Sequence, residues 1–447
     1  MPQPPSAAMR DDSVSRDEPV IRDRGDACPG ALRLHAADDG FLARVRVPGG
    51  LLDGAAARLL AGAATRLGDG HLDLTSRGNV QLRGLGAGCG GELAELLARA
   101  GLLPAPAHER VRNIVLSPLT GLDRRGLPDA APWVAELDRL LCASEAAAGL
   151  SGRFLFALDD GRGDAASLDA DVNLTALDGA RALVWTAGAR GGAVVRTPDA
   201  PRAALVAAEY FLDAAREAGT RAWRVSELPT EHALSPDRLT ARLTAAGIAA
   251  APGPVRPPGP PAAPEPGPVA GPGGGAALCV LAPLGRLTAA QWLLLAGLTG
   301  RMRLTPWRGI VVPDLPADRA AAALARLADA GLITGPDDPW RSVTACTGRP
   351  GCGKSLADVR ADARAVVHAS RAPSPGPPGG GTPLPVHWSG CERRCGHPRG
   401  TAWVDALATA DGYRLSVHGE PLPHPHPTDL GAALTAARHT SEAAVKK

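Results

Sequence analysis

The sequence predicts an α+β protein in which one β-α-β-β-α unit is written twice, each copy followed by a larger α+β module, around a pseudo-two-fold axis. Three observations point there. Two stretches of the chain run through the same order of alternating and helically spaced residues. A Pro/Gly/Ala tract at residues 251–276 separates them. Short strings also recur at matching places: Leu74-Thr75-Ser76-Arg77 falls opposite Leu304-Thr305-Pro306-Trp307, and Arg112-Asn113-Ile114-Val115-Leu116-Ser117 falls opposite Arg341-Ser342-Val343-Thr344-Ala345-Cys346.

In the first copy, FLARVRV (41–47) alternates like a strand and residues 51–66 have helical spacing. HLDLTSR and NVQLRGL read as two strands joined at Gly78, and residues 92–100 as a second helix. In the second copy, ALCVLAPL is the strand, 289–298 the helix, RMRLTPW and GIVVPDL the strand pair, and 317–330 the closing helix. These signals divide the chain into a polar, Pro-containing tail (1–25) predicted to be disordered, a first half-domain (26–105), a first α+β module (106–250), a Pro/Gly linker with no core (251–276), a second half-domain (277–338) and a second module (339–447). A shorter tract, 372–385, reads as a loop within the last module. A site shared by such a duplication belongs where the halves meet.

Composition narrows the function. Of the 48 cationic residues only Lys354, Lys446 and Lys447 are lysine, so an arginine-rich stretch carries less meaning here than usual. A formal net charge of +2 gives no reason to expect nucleic acid. The start of the chain has no charged-then-apolar signal pattern, and no apolar run is long enough to span a bilayer. The reading is a soluble cytoplasmic protein with no membrane partner, where thiols stay reduced and eight cysteines suggest a metal site more than disulfides.

Four of the eight form a pattern. Cys346-x5-Cys352 and Cys391-x3-Cys395 lie 38 residues apart. Four thiolates converging from two loops suit a [4Fe–4S] cubane, with Gly348, Gly351 and Gly353 permitting close backbone approach and amide bonds to the sulfides. Residues 355–368 read as a helix whose positive end faces that anionic group. The competitors are structural zinc, which prefers two to four residues between paired cysteines, and four unrelated buried thiols. Cys28, Cys89, Cys142 and Cys279 stand singly and read as packing residues.

Two glycine motifs compete for attention. Gly348 to Ser355 matches the phosphate-binding P-loop, but fewer than a hundred residues follow it and no second acidic strand for magnesium stands out. Gly86 to Gly91 matches GxGxxG, yet Arg77, Asn79, Gln81 and Arg83 alternate just before it, unlike a buried parallel strand. Those four share a face, which is either a solvated sheet surface or a wall that grips an anion with guanidinium forks. Arg112, Arg153 and Arg308 are further candidates, and His397 follows the last cysteine closely.

LTSRGNVQL in the first copy, with the cysteine quartet in the second, resembles the sulfite/nitrite reductase superfamily from about Cys28 to the last helix. The resemblance implies duplicated ferredoxin-like half-domains plus two reductase-type modules, a [4Fe–4S] cluster on Cys346, Cys352, Cys391 and Cys395, and in the reductases a sirohaem bridged through the residue matching Cys395. Arginines matching Arg77 and Arg112 then face the macrocycle and its anionic substrate. Where the reductases carry Lys-x-Lys, this sequence has Arg153-Phe154-Leu155. CPGALRLH, DGFLARVRVPGG, RLTPWRG, ALDDGRGD and GCERRCGHP are instead similar to the precorrin-3B synthase branch of that superfamily. This branch implies an oxygen-dependent monooxygenase of cobalamin synthesis that hydroxylates precorrin-3A at C20 and closes a lactone. It also implies a mononuclear non-haem iron, NADH as the ultimate electron donor and, since no nicotinamide domain is evident, a separate reductase as a partner. The tetrapyrrole and dioxygen are its substrates, with Arg77, Arg83, Arg112, Asn113, Arg153 and Arg308 expected to bind carboxylates. No residue is assigned to catalysis, and no 2-His-1-carboxylate spacing stands out for the second iron.

Overall fold

The computed structural model describes residues 29–257, 259, 262–369, 383–398, 401–417, 419–422 and 429–439. The predicted tail (1–25), Cys28 and most of the 372–385 tract lie outside them. The first half-domain contains β1 (His35–Ala37), β2 (Gly40–Val45), β3 (Leu51–Asp53), α1 (Gly54–Leu67), β4 (His71–Leu74), β5 (Val80–Leu85) and α2 (Gly90–Arg99). The first module follows with β6 (Ile114–Leu116), α3 (Ala131–Ala143), β7 (Phe156–Asp159), β8 (Val172–Ala176), β9 (Arg181–Thr186), β10 (Gly191–Arg196), α4 (Ala200–Glu217), α5 (Pro236–Ala245) and β11 (Ala250–Pro254). The second half-domain has β12 (Gly267–Ala270), β13 (Gly275–Leu281), β14 (Arg286–Thr288), α6 (Ala289–Thr299), β15 (Arg301–Leu304), β16 (Gly309–Pro316) and α7 (Ala317–Asp329). The second module has β17 (Val343–Ala345), α8 (Val359–Ala369), β18 (Val386–Ser389), β19 (Val404–Thr409), β20 (Gly412–Val417), β21 (Glu420–Pro421) and α9 (Leu430–Arg438).

The duplication holds down to strand order. One sheet runs β1-β2-β5-β4-β14 and its counterpart β12-β13-β16-β15-β3. The outermost strands are exchanged: β14 of the second half pairs with β4 of the first, and β3 of the first with β15 of the second. This corrects the first helix, predicted to begin at residue 51. Leu51–Asp53 is extended because it completes the other half's sheet, and the helix starts only where Asp53 accepts the N–H of Ala56 at 2.7 Å. At the matching place Thr288 and Gln291 form a reciprocal capping box on α6.

Between the sheets the two halves share one hydrophobic core, with α1 against α6 and the Trp292 indole N–H donating to the Ala57 carbonyl at 2.9 Å. Each module adds its own core beside this centre. The modules also match: β6–β7–β8 are parallel and β8–β9 antiparallel, while β17–β18–β19 are parallel and β19–β20 antiparallel.

The linker prediction is corrected as well. Ala250–Pro254, which overlaps the start of 251–276, closes the first module's sheet, and Gly267–Ala270 within it pairs with β13. Both are edge strands, where proline's missing N–H faces no partner and is tolerated. Among the described residues no helix is long and apolar enough to cross a membrane.

Candidate functional site

Two parallel strands deliver the cysteines. Ala345 of β17 lies in register with Trp388 of β18, and one residue further the Cys346 N–H continues the ladder to the Trp388 carbonyl at 3.0 Å. Both strands therefore end at the same edge of the sheet, and residues distant in sequence arrive together as the Cys346–Cys352 and Cys391–Cys395 loops. Cys346 is influenced electrostatically by Cys391 and Cys395, and Cys395 by Cys391 and Cys352. Burial raises the Cys346 thiol pKa, the Gly390 and Gly348 amides draw it back, and the neighbouring thiols push it up again. Burial also raises Cys395, with Cys391 adding to the rise and Arg393 opposing it.

Four thiols gathered from two loops are the donor type and number that a cubane takes. The Gly390 N–H donates to Cys346 Sγ at 3.2 Å, and a Cβ at Gly390 would stand 3.4 Å from that sulfur, so the backbone cradles it. Among the described residues no three His, Cys, Asp or Glu side chains converge as they would on a single ion. In a cubane each thiolate takes its own iron at a separate corner, so its sulfurs stand wider apart than around one metal.

Two expectations about these loops are corrected. The helix predicted from residue 355 begins at Val359, because the Ser355 hydroxyl donates to the Ala357 carbonyl and Asp358 accepts the Ala361 N–H. A carboxylate of the chain thus occupies the helix's positive end, and the P-loop match lacks the helix that should start at its Lys-Ser pair. The GxGxxG glycines lead into α2 from an antiparallel sheet, so they form no dinucleotide-binding turn.

A cavity of about 270 Å³ opens beside the cysteines. Cys346, Thr347, Cys395 and Gly396 line it from the second module, Leu284, Gly285 and Arg308 from the second half, and Arg44, Asp73, Thr75, Ser76 and Gln81 from the first, with Arg360 of α8. Three arginines face one aspartate there. Arg360 donates to Asp73 at 3.1 Å and to the Cys346 carbonyl at 3.3 Å, and Arg44 to Gln81 at 3.4 Å.

Arg308 sits at a left-handed φ of 60° in the β15–β16 turn, its stem passing over Gly285. Its backbone N–H donates to the Thr305 carbonyl at 3.1 Å, while its guanidinium makes no hydrogen bond or ion pair to the described residues. Burial and the repulsion of Arg360 lower its pKa, with Asp73 opposing. A desolvated guanidinium without a partner favours an incoming anion. The cavity is at the lower end for an organic ligand, so it takes one acidic edge of a large molecule more readily than the whole.

Of the arginines singled out from sequence, Arg308 lines this cavity and the others hold protein. Arg77 lies in the turn before β5 and donates to the carbonyls of Gly152 and Arg153 at 3.1 and 2.8 Å. Arg83 grips Asp39 through two 2.9 Å bonds, and Arg112 grips Asp138 through two at 2.6 Å, so both forks are already filled. Asn113 bonds the Arg110 and Gly152 carbonyls and accepts from Asn79. The Arg153 guanidinium stacks 4.8 Å over Trp223, and Leu155 is buried in the first module. His397, next to the lining residue Gly396, stacks on Trp403 and does not itself line the cavity.

Of the predicted polar face only Gln81 reaches the cavity: period-two alternation gives the side of a strand, not the partner. Arg44 and Arg360 escaped notice. Arg44 could have been found, since it lies in register with Gln81 on the neighbouring strand; nothing local marks Arg360.

The first module shows what the site becomes without thiols. Ser117 N–H meets the Leu158 carbonyl at 3.0 Å, as Cys346 N–H meets that of Trp388. There Ser117 donates to Asp164 at 2.5 Å and Arg162 bridges Asp160 and Asp123, closing the position with side chains.

Comparison with known proteins agrees with the duplicated fold. Residues 34–100 and 270–330 match the nitrite/sulfite reductase ferredoxin-like half domain. The chain is 27% identical to a precorrin-3B synthase of Sinorhizobium sp, over 92% of this chain and 87% of that one. It is 28% identical to a ferredoxin–nitrite reductase of Synechococcus elongatus, over 80% of this chain and 74% of the relative. The solved structure of the Mycobacterium tuberculosis NirA protein shares the fold, with a TM-score of 0.63 and 20% identity, over 90% of this chain and 82% of that one. Both matched segments are therefore half-domains of the nitrite/sulfite reductase type, and several of the relatives are reductases by name.

Proposed function

We propose, from this double kinship, that the chain is a precorrin-3B synthase-like monooxygenase that hydroxylates precorrin-3A at C20 with lactone formation. The observation that carries the reading is the shared cavity, where Cys346 and Cys395 meet Arg44, Arg308 and Arg360. Cys346, Cys352, Cys391 and Cys395 would hold a [4Fe–4S] cluster, which when bound supplies single electrons. Arg308 and Arg360 would take carboxylates of the tetrapyrrole and fix its edge against the cysteine loops. Gln81, Thr75 and Ser76 offer polar groups for orienting it, while Leu74, Leu284 and Ala345 line apolar parts of the wall. For a mononuclear iron no fitting set of His and carboxylate ligands is found among the described residues, so none is assigned. NADH, through a separate reductase, remains the proposed electron source, with dioxygen as co-substrate.

The alternative is a sirohaem-dependent sulfite or nitrite reductase. The segment matching the reductases' two lysines argues against it. Arg153 lies on Trp223 and Leu155 is buried, so neither supplies a cation to the cavity. Protein purified without oxygen and scanned in the visible range distinguishes the two. The monooxygenase reading expects a broad iron–sulfur shoulder and conversion of precorrin-3A; sharp sirohaem bands with sulfite or nitrite turnover would establish the alternative.

A further inference from the structure

Cys352 is held from both sides by the opposite end of the chain. On one side Asp38, in the β1–β2 turn, accepts the Gly353 N–H at 2.5 Å. On the other, Arg83 of β5 donates to the Gly351 carbonyl at 2.7 Å while its two bonds to Asp39 fix the guanidinium. The approach leaves no space for a side chain. A Cβ at Gly351 would stand 2.7 Å from the Asp39 carboxylate and 2.9 Å from Arg83, and one at Gly353 would stand 2.7 Å from the Asp38 carboxylate. The space beside these two glycines is filled by the first half-domain.

We propose that Asp38, Asp39 and Arg83 form a bracket that positions Cys352 and lowers the reduction potential of the group bound there. The proposal rests on reading the quartet as a cluster site. The two cysteine loops are treated differently: Cys346 receives the Gly390 amide on its sulfur, whereas beside Cys352 a carboxylate takes the Gly353 amide. The potential of an iron–sulfur centre rises with hydrogen bonds to its sulfurs and falls with added negative charge. Asp38 acts in the same direction on both counts: it withholds a donor and contributes an anion. Arg83 is 4% exposed and Asp39 18% exposed, so their pair is shielded from salt and ties the loop rigidly. Asp38 is exposed, so its replacement leaves the core intact.

The test uses the full chain purified without oxygen and read by iron and sulfide analysis, thermal melting and potentiometry followed by electron paramagnetic resonance. Asp38→Asn keeps an oxygen for the Gly353 amide but loses the charge; unchanged iron content and melting with a more positive midpoint potential are expected. Arg83→Met releases Gly351 and should lose iron to a chelator several-fold faster than wild type, with Arg83→Lys intermediate. An unaltered potential in Asp38→Asn overturns the potential-setting role, and unaltered chelator resistance in Arg83→Met overturns the positioning role. Wild-type protein lacking iron and sulfide would instead remove the cluster reading beneath both.

Discussion

Arg308 and Arg112 are both poorly exposed guanidiniums, yet opposite consequences follow from removing them. Arg112 completes two bonds to Asp138, so Arg112→Ala strands a carboxylate and should cost about 3–5 kcal/mol of stability in a denaturant titration. Arg308 forms no ion pair with a carboxylate among the described residues and is desolvated beside Arg360, so Arg308→Ala should leave the melting temperature level or higher. Losing one charged hydrogen bond of about 1.5–3 kcal/mol should weaken binding of the polycarboxylate tetrapyrrole roughly 10- to 100-fold in a titration. Asp164 adds a pH test. Burial raises its carboxyl from 3.8 to about 6, despite the Ser117 hydroxyl bond that opposes the rise. A pKa higher in the folded than the unfolded state gives stability that is fully present below pH 3.8 and lost as pH rises through about 6. The loss is on the order of 3 kcal/mol. Asp164→Asn should therefore flatten the melting profile between pH 4 and 7, and a slope equal to wild type would contradict this assignment.

At the scale of elements, the exchanged strands make the two halves interdependent. β3 and β14 each complete a sheet whose other strands come from the opposite half, and α1 and α6 close one core between them. Trp292 is fully buried at that junction, so Trp292→Ala should cost about 3–5 kcal/mol and melt both halves in a single transition. Two separated transitions would mean that the halves fold independently. Periodicity made most of this legible: β13, α6, β15, β16 and α7 begin and end within a few residues of their predicted bounds. It failed where partners are remote. Leu51 to Asp53 read as helix because nothing local shows that they belong to another sheet, and the proline-rich tract read as linker because composition does not reveal an edge strand. The cysteine quartet was visible in the chain itself, since its spacing is its signal. The cavity's arginines were visible only in part: Arg308 stood in a recognisable turn, whereas Arg44 and Arg360 acquire meaning from register and helix docking.

For the whole molecule, duplication leaves one module with four gathered thiols and the other with a closed network of side chains. The Ser117, Asp160, Arg162 and Asp164 network closes in the first module the position that the thiols occupy in the second, while arginines from both halves reach the cavity. Replacing Cys391 by serine should abolish iron binding while the shared core of the half-domains stays folded, as circular dichroism would show. The most direct measurement is iron and acid-labile sulfide analysis of oxygen-protected protein, read together with its visible spectrum. About four irons and four sulfides per chain, with a broad shoulder and no sirohaem bands, are predicted. Oxygen-protected protein with neither iron nor sulfide, its cysteines all titrating as free thiols, would contradict the cluster and the electron transfer proposed through this fold.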